Sequence, residues 1–171
     1  MKRLLMASAL VALCVVVPVA TGATGGSDRP FKATFTGLVT HGPGRCDIVT
    51  TNITATGEVS HLGRAEASWS HCPLQPAGDD DGQMTIVAAN GDTLYGEYDW
   101  SPAYNVGNDT PPITLAGGSG RFEDATGSIV GTFELIPQFV AGCNPVPDPV
   151  PCYDFSVPWP WSATFVGAIS Y

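Results

Sequence analysis

The sequence predicts an all-β fold: a single eight-stranded antiparallel up-and-down β-barrel with a long proline-rich loop before its last strand. Three observations carry that expectation. Apolar and polar residues alternate with period 2 in one short segment after another, the pattern of a strand with one buried face. No segment sustains the 3.6-residue period of a helix longer than a turn. The apolar faces mix large aromatics with Gly and Ala, which suits a narrow, tapering interior. A disulfide-tied sandwich is the alternative. It lacks the Cys…Trp…Cys spacing of immunoglobulin domains, because Trp69 sits just before the second Cys.

The elements follow in order. Phe31 to Thr40 sets Phe31, Ala33, Phe35, Gly37 and Val39 on one face and Lys32, Thr34, Thr36 and Thr40 on the other. His41-Gly-Pro-Gly-Arg45 is a turn. Cys46 to Val59 has the Thr, Ile and Val content of a strand. After a turn near Val59 to His61, Gly63 to His71 answers it, with Ala65, Ala67 and Trp69 opposite Arg64, Glu66 and Ser68. Pro73 to Gly82 is a loop made acidic by Asp79-Asp80-Asp81. Met84 to Ala89 and Thr93 to Trp100 flank Asn90-Gly91-Asp92. That Asn-Gly pair predicts a type I′ hairpin, which needs φ > 0 at both central residues. Ser101 to Pro112 is a loop, and Pro137 to Pro160 is an irregular segment with seven prolines. Trp161 to Tyr171 closes the chain, with Trp161, Ala163, Phe165, Gly167, Ile169 and Tyr171 on one face. Pairing of the first and last strands would remove both sheet edges.

Leu115 to Ile136, LAGGSGRFEDATGSIVGTFELI, organises the chain: a strand, a glycine turn, one loose helical turn, then another strand. Gly117, Gly118 and Gly120 admit φ > 0. Phe122 is too apolar for a free loop and is expected to plug one end of a sheet. Ile129, Phe133 and Leu135 then alternate with Ser128, Thr132 and Glu134. A phosphate cradle is a poor reading, since Glu123 and Asp124 sit where the phosphate would go and no Lys follows.

Within this stretch GGSGRFEDATGS resembles the Gly-Gly-Thr-Gly-Arg/Ile-Phe…Ala…Gly motif of the allene oxide cyclase and dirigent barrels. It is closer still to small secreted bacterial proteins of unassigned function that share the motif. The closing strand Phe165 to Tyr171 resembles the one these proteins pair with it. The resemblance implies an eight-stranded antiparallel barrel, whose plant enzymes carry catalytic or ligand-steering residues in the lumen. No motif here carries any of those residues over, nor the trimers and dimers of the plant relatives, so the oligomeric state stays open.

The chain has 171 residues, enough for one domain. Its start reads as a secretory signal, residues 1–23, leaving a barrel domain over 24–171. Lys2 and Arg3 are the basic region, Leu4 to Val17 the apolar region and Thr21-Gly22-Ala23 the small residues for cleavage, with Ala20 an alternative site. Cys14 invites a lipoprotein reading, but Leu13 precedes it where a small residue is wanted, so Cys14 is expected to leave with the signal. No later stretch is long and apolar enough for a membrane helix. The protein is therefore expected to be secreted. With Lys2 and Arg3 gone, five basic residues face sixteen acidic ones, a formal charge of −11. That balance argues against nucleic acid or an anionic membrane as partner.

Four cysteines remain, an even number that implies two disulfides with three possible pairings. Cys46 and Cys72 lie symmetrically about Val59, so folding a hairpin there sets them opposite each other. That bridge should contribute roughly 3 kcal/mol. Cys143 and Cys152 are left to pin the proline loop. Zinc is a weak rival without CxxC or a spaced His pair, and neither metal nor cofactor is expected. Asp79-Asp80-Asp81-Gly82 lacks the ligand spacing of an EF-hand. Asn52-Ile53-Thr54 and Asn108-Asp109-Thr110 fit the glycosylation triplet, which means little in a bacterial chain.

Candidate chemistry is sparse. His41, His61 and His71 fall at or near predicted turns or strand ends, where solvation is the ordinary fate. Tyr95, Glu97 and Asp99 share one face of a strand, and in a wet lumen such a row could transfer protons. The better reading puts that row in bulk water and Tyr98 and Trp100 in the core. Phe139, Tyr153, Phe155 and Trp159 have nowhere obvious to bury, and either lid the barrel mouth or pack on its outer wall. Three functions follow: a non-enzymatic protein binding a small apolar or aromatic molecule or a partner surface, a cyclase- or dirigent-like enzyme steering a reactive intermediate, and a filled structural barrel. The first leads. An open apolar cavity favours it, an ionisable side chain inside favours the second, and a core packed by Phe35, Trp69, Phe133 and Phe165 favours the third.

Overall fold

The computed structural model describes residues 27–73, 81–100, 108–143 and 152–171. The expected signal over 1–23, Asp79 and Asp80 of the acidic loop, and the middle of the proline segment lie outside them. The strands are β1 Arg29–Gly42, β2 Thr50–Val59, β3 Gly63–His71, β4 Asp81–Ala88, β5 Thr93–Asp99, β6 Ile113–Gly118, β7 Thr126–Leu135 and β8 Trp159–Ser170. Each pairs antiparallel with the next, and β8 returns to β1, closing an eight-stranded barrel. The closing register runs from Arg29 opposite Ile169 to Val39 opposite Trp159. Among the described strands, closure leaves no edge to recruit another chain.

Side-chain alternation settles inside from outside. In β1, Phe31, Ala33, Phe35 and Val39 are buried while Lys32, Thr34, Thr36 and Leu38 face out. The interior admits large rings because glycine stands across from them. Phe35 lies opposite Gly57, Phe165 opposite Gly131 and Tyr98 opposite Gly82. A Cβ added at any of these glycines would run into the facing ring. The aromatics therefore lie over the neighbouring strand's bare backbone, a known device for tolerating glycine in sheets.

The two ends of the barrel differ. At one end the connections are short. Ser60 to Leu62 joins β2 to β3, with His61 at φ 69° and its ring bonded to the Pro30 carbonyl at 2.8 Å. Ala89, Asn90 and Gly91 join β4 to β5. The hairpin forms where Asn-Gly predicts it, but only Gly91 has φ > 0, at 88°. The Gly91 amide donates to Ala88 O and the Ala88 amide to Asp92 O, each at 2.9 Å. This is a three-residue loop with a left-handed glycine rather than a type I′ turn. The Asn90 carboxamide accepts from the Asp92 amide at 3.1 Å, which holds Asn90 out of the left-handed region.

The glycine stretch after β6 seals this end. Gly120 to Phe122 is one 3-10 turn, and Phe122 is fully buried against Tyr171, ring centroids 4.7 Å apart. Ser119 ties the turn to β5, its amide donating to Thr93 O at 3.1 Å. Arg121 pairs with Asp92 at 3.2 Å and also donates to the His61 carbonyl, so one side chain links all three short connections. At the other end lie the described residues of the long connections, 43–49, 72–73, 100, 108–112, 136–143 and 152–158. No helix among the described residues is long and apolar enough to cross a membrane.

Candidate functional site

The long-connection end holds a cavity of about 540 Å³, inside the range of about 300–1,000 Å³ typical of small-molecule sites. Its floor is the top of the aromatic core. Trp69 and Phe165 stack with centroids 5.8 Å apart, and Trp161 meets Trp69 at 5.1 Å. Phe35 seals the floor from below, edge-on to Trp69 at 5.2 Å. The ends of β3 and β5 form one wall, where the His71 ring stacks on Trp100 at 4.2 Å and 16°. Val39, Ile53, Ile113 and Leu135 fill the gaps. The inward-facing ends of β1, β3, β5, β6, β7 and β8 thus bring rings or branched aliphatic side chains to the cavity above the packed floor.

All four tryptophans of the sequence line this cavity. No Asp, Glu, Lys or Arg does so among the described residues. The polar content is small and specific. His71 Nδ1 and the Tyr98 hydroxyl are hydrogen-bonded at 3.1 Å. Burial, then the nearby Arg45 and His41 charges, lower the His71 pKa from 6.5 to about 3, so its imidazole is neutral at physiological pH. His41 is half-buried at the rim and its pKa is lowered by burial as well. Its ring touches Trp159 at 4.6 Å and Phe155 at 4.9 Å. Among the described residues, three buried side-chain polar atoms have no hydrogen-bond partner: His41 Nδ1, Trp69 Nε1 and Trp100 Nε1. All three belong to residues that line the cavity.

Both disulfides sit at this end. Cys46–Cys72, with Cα atoms 5.6 Å apart, ties the segment bearing Ile48 and Val49 to the residue after His71. Cys143–Cys152, at 5.5 Å, precedes Tyr153 and Phe155. Both pairings agree with those expected from the sequence. They brace the segments that rim the cavity, since the sheet is already closed by its own ladder.

Of the aromatic residues singled out from the proline segment, Tyr153, Phe155 and Trp159 line the cavity. Phe155 stacks on Trp159 at 5.2 Å and 30°, and the Trp159 indole N–H donates to Asp154 O at 2.8 Å. Phe139 is 47 % exposed and does not line the cavity; it backs Tyr153 through a β-bridge and a ring contact of 5.5 Å. Tyr95, Glu97 and Asp99 are on the outer wall, while Leu94, Gly96 and Tyr98 point inward. No group of three or more His, Cys, Asp or Glu among the described residues could hold a metal.

The residue that the sequence reading underrates is His71, expected at a solvated strand end and found 4 % exposed. Period 2 held the signal: His71 continues the inward face of Ala65, Ala67 and Trp69. Comparison of the chain with family models, with curated proteins and with solved structures finds no match.

Proposed function

We propose that this is a secreted binding protein that holds a small apolar or aromatic molecule in the mouth of its barrel. The observation that carries the reading is the aromatic-walled cavity at the long-connection end, beside segments that both disulfides tie down. Braced walls hold the cavity open in the empty protein and lower the ordering cost of binding. Disulfides belong to an oxidising compartment. The basic, apolar and small-residue succession of residues 1–23 supports export there, with the chain from residue 24 as the barrel domain and the proline-rich segment before β8 as part of its rim. Net negative charge disfavours nucleic acid as a partner. The test is native mass spectrometry of protein taken from its own source. A retained small molecule is the expected result; protein that is mass-pure across preparations and inert to apolar probes would overturn the reading.

A second reading is favoured by one observation, the His71–Tyr98 pair inside the cavity. An ionisable pair in a dry lumen suits an enzyme that steers a reactive intermediate, and the GGSGRF turn resembles that of the allene oxide cyclase and dirigent barrels. Two features place it second. A histidine held near pKa 3 is a weak base at neutral pH, and the carboxylates of β5 face water. Turnover abolished by Tyr98→Phe with binding retained would reverse the order.

A further inference from the structure

Charge is laid out around the cavity in two zones. The walls hold none: no Asp, Glu, Lys or Arg lines the cavity among the described residues. The chain beside the walls is acidic. Asp47 precedes Ile48, Glu97 and Asp99 flank Tyr98, and Asp109 precedes Thr110. Glu134 lies between Phe133 and Leu135, and Asp154 between Tyr153 and Phe155. Every one of those neighbours lines the cavity. No Lys or Arg among the described residues stands next to a lining residue. Consecutive Cα atoms are about 3.8 Å apart, so each carboxylate is within about 10 Å, one Debye length at 0.1 M salt, of a wall residue's backbone. All are exposed except Asp154, which is partly so. Hydrogen bonds from the Ser156 hydroxyl and amide lower the Asp154 pKa, so it too is ionised.

The basic residues lie elsewhere. Of the five that follow residue 23, Arg29, Lys32, Arg64 and Arg121 are at the short-connection end. There Arg64 pairs with Glu58 at 3.8 Å and Arg121 with Asp92 at 3.2 Å. Arg45 is the one on the long connections, and its guanidinium donates to the Ser70 carbonyl at 3.2 Å. The field at the mouth is therefore negative, and a low-dielectric cleft focuses it. An anion is repelled. A cation is drawn to the mouth but gains nothing by going deeper, where it would lose its hydration with no carboxylate beside it. The mouth lets one ligand span both zones, since Ile48 and Phe155 line the cavity and are still 70 % and 44 % exposed.

Resting on the reading of the mouth as a ligand site, we propose that the occupant is an amphiphile whose apolar body fills the cavity and whose cationic head stays at the mouth among the flanking carboxylates. The walls supply affinity, and the ring of acid supplies orientation and the choice of head.

Decyltrimethylammonium, decanol and decanesulfonate share one tail and differ in head charge; naphthalene reports the cavity with no head at all. Each is titrated by calorimetry, below any micelle concentration, into the full chain with both disulfides formed, at about 20 mM and about 500 mM salt. At low salt the cation should bind about tenfold more tightly than the alcohol, the summed pull of six carboxylates at this range, and the sulfonate more weakly than either. At high salt the cation's advantage should shrink to about twofold. Joint replacement Asp99→Asn, Glu134→Gln and Asp154→Asn should cut the low-salt advantage to about threefold. Cation affinity no higher than the alcohol's, or unmoved by salt, overturns the cationic head and leaves the cavity as a binding site; so does tightest binding by the sulfonate. An advantage untouched by the triple replacement overturns the part given to those carboxylates. Binding of naphthalene by a protein that takes none of the tailed probes overturns the amphiphile alone. Binding of none of the four overturns the inference and the binding reading together. The probe series uses the unmutated protein, so it stands even if the variant fails to fold.

Discussion

Acidification should destabilise this protein through one residue. His71 has an ordinary pKa of 6.5 when unfolded and about 3 when folded. The folded value is the lower one, so the fold holds the neutral imidazole. The stability this confers is complete above pH 6.5. It is lost as pH falls toward 3, because the unfolded chain takes up a proton that the folded one refuses. Each pH unit in that window costs about 1.4 kcal/mol, so going from pH 7 to pH 5 should remove about 2 kcal/mol. His71→Phe is the matched control. A phenyl ring keeps the stack on Trp100 and cannot titrate. It also removes the hydrogen bond to the Tyr98 hydroxyl, a pH-independent cost of about 0.5–1.5 kcal/mol. Urea unfolding of both proteins at pH 7, 6 and 5, disulfides intact, separates the two effects. The wild-type free energy should fall more steeply than the variant's, the gap closing by about 2 kcal/mol. Parallel pH profiles would refute the reasoning, and would mean that the His71 imidazole accepts a proton without leaving its wall.

Three further perturbations bear on the architecture. Phe122→Ala should cost about 3–5 kcal/mol in urea unfolding, the usual range for a buried phenylalanine, while leaving probe binding at the far end intact. Gly82→Ala sets a methyl into the Tyr98 ring; a cost of about 1–3 kcal/mol should come with loss of the His71–Tyr98 bond, seen as a changed imidazole signal by NMR. Replacing Cys46 and Cys72 by Ser opens a loop of separation 26 and should cost about 3.5 kcal/mol, against about 2.5 kcal/mol for Cys143 and Cys152 at separation 9, on the chain-entropy estimate. Thermal unfolding of the two double variants checks that order, and the second should weaken probe binding more, since it frees Tyr153 and Phe155.

Much of the barrel can be read in one dimension because a strand shows its buried face at every second residue. Phe31 to Val39 and Ala65 to Trp69 announce their inward sides that way, and the symmetric placing of Cys46 and Cys72 about a hairpin follows from the same geometry. Strand ends were less legible. β2 begins at Thr50 rather than Cys46, because the Thr50 hydroxyl takes the Cys46 amide at 3.2 Å and turns the chain there. β8 begins two residues early, at Trp159, because Val39 and Leu38 of β1 pair with Trp159 and Pro160. The hollow was not legible at all. Whether Trp69, Phe133 and Phe165 fill the lumen depends on how strand stagger stacks their layers, and stagger is set by three-dimensional closure. Stacking puts Trp69 and Phe165 in a floor, leaving space above. His71 was missed for a related reason: polarity suggested water, while its position two residues beyond Trp69 pointed inward.

The glycines facing Phe35, Phe165 and Tyr98 bear on how such a container could change its contents. A ring that reclines on bare backbone takes up little of the lumen; propped upright by a neighbouring methyl, the same ring would jut into it. The bore of the vessel therefore answers to positions that carry no side chain and never meet the guest. Small substitutions there, well behind the wall, would resize the chamber while every surface in touch with its occupant kept the same chemical identity.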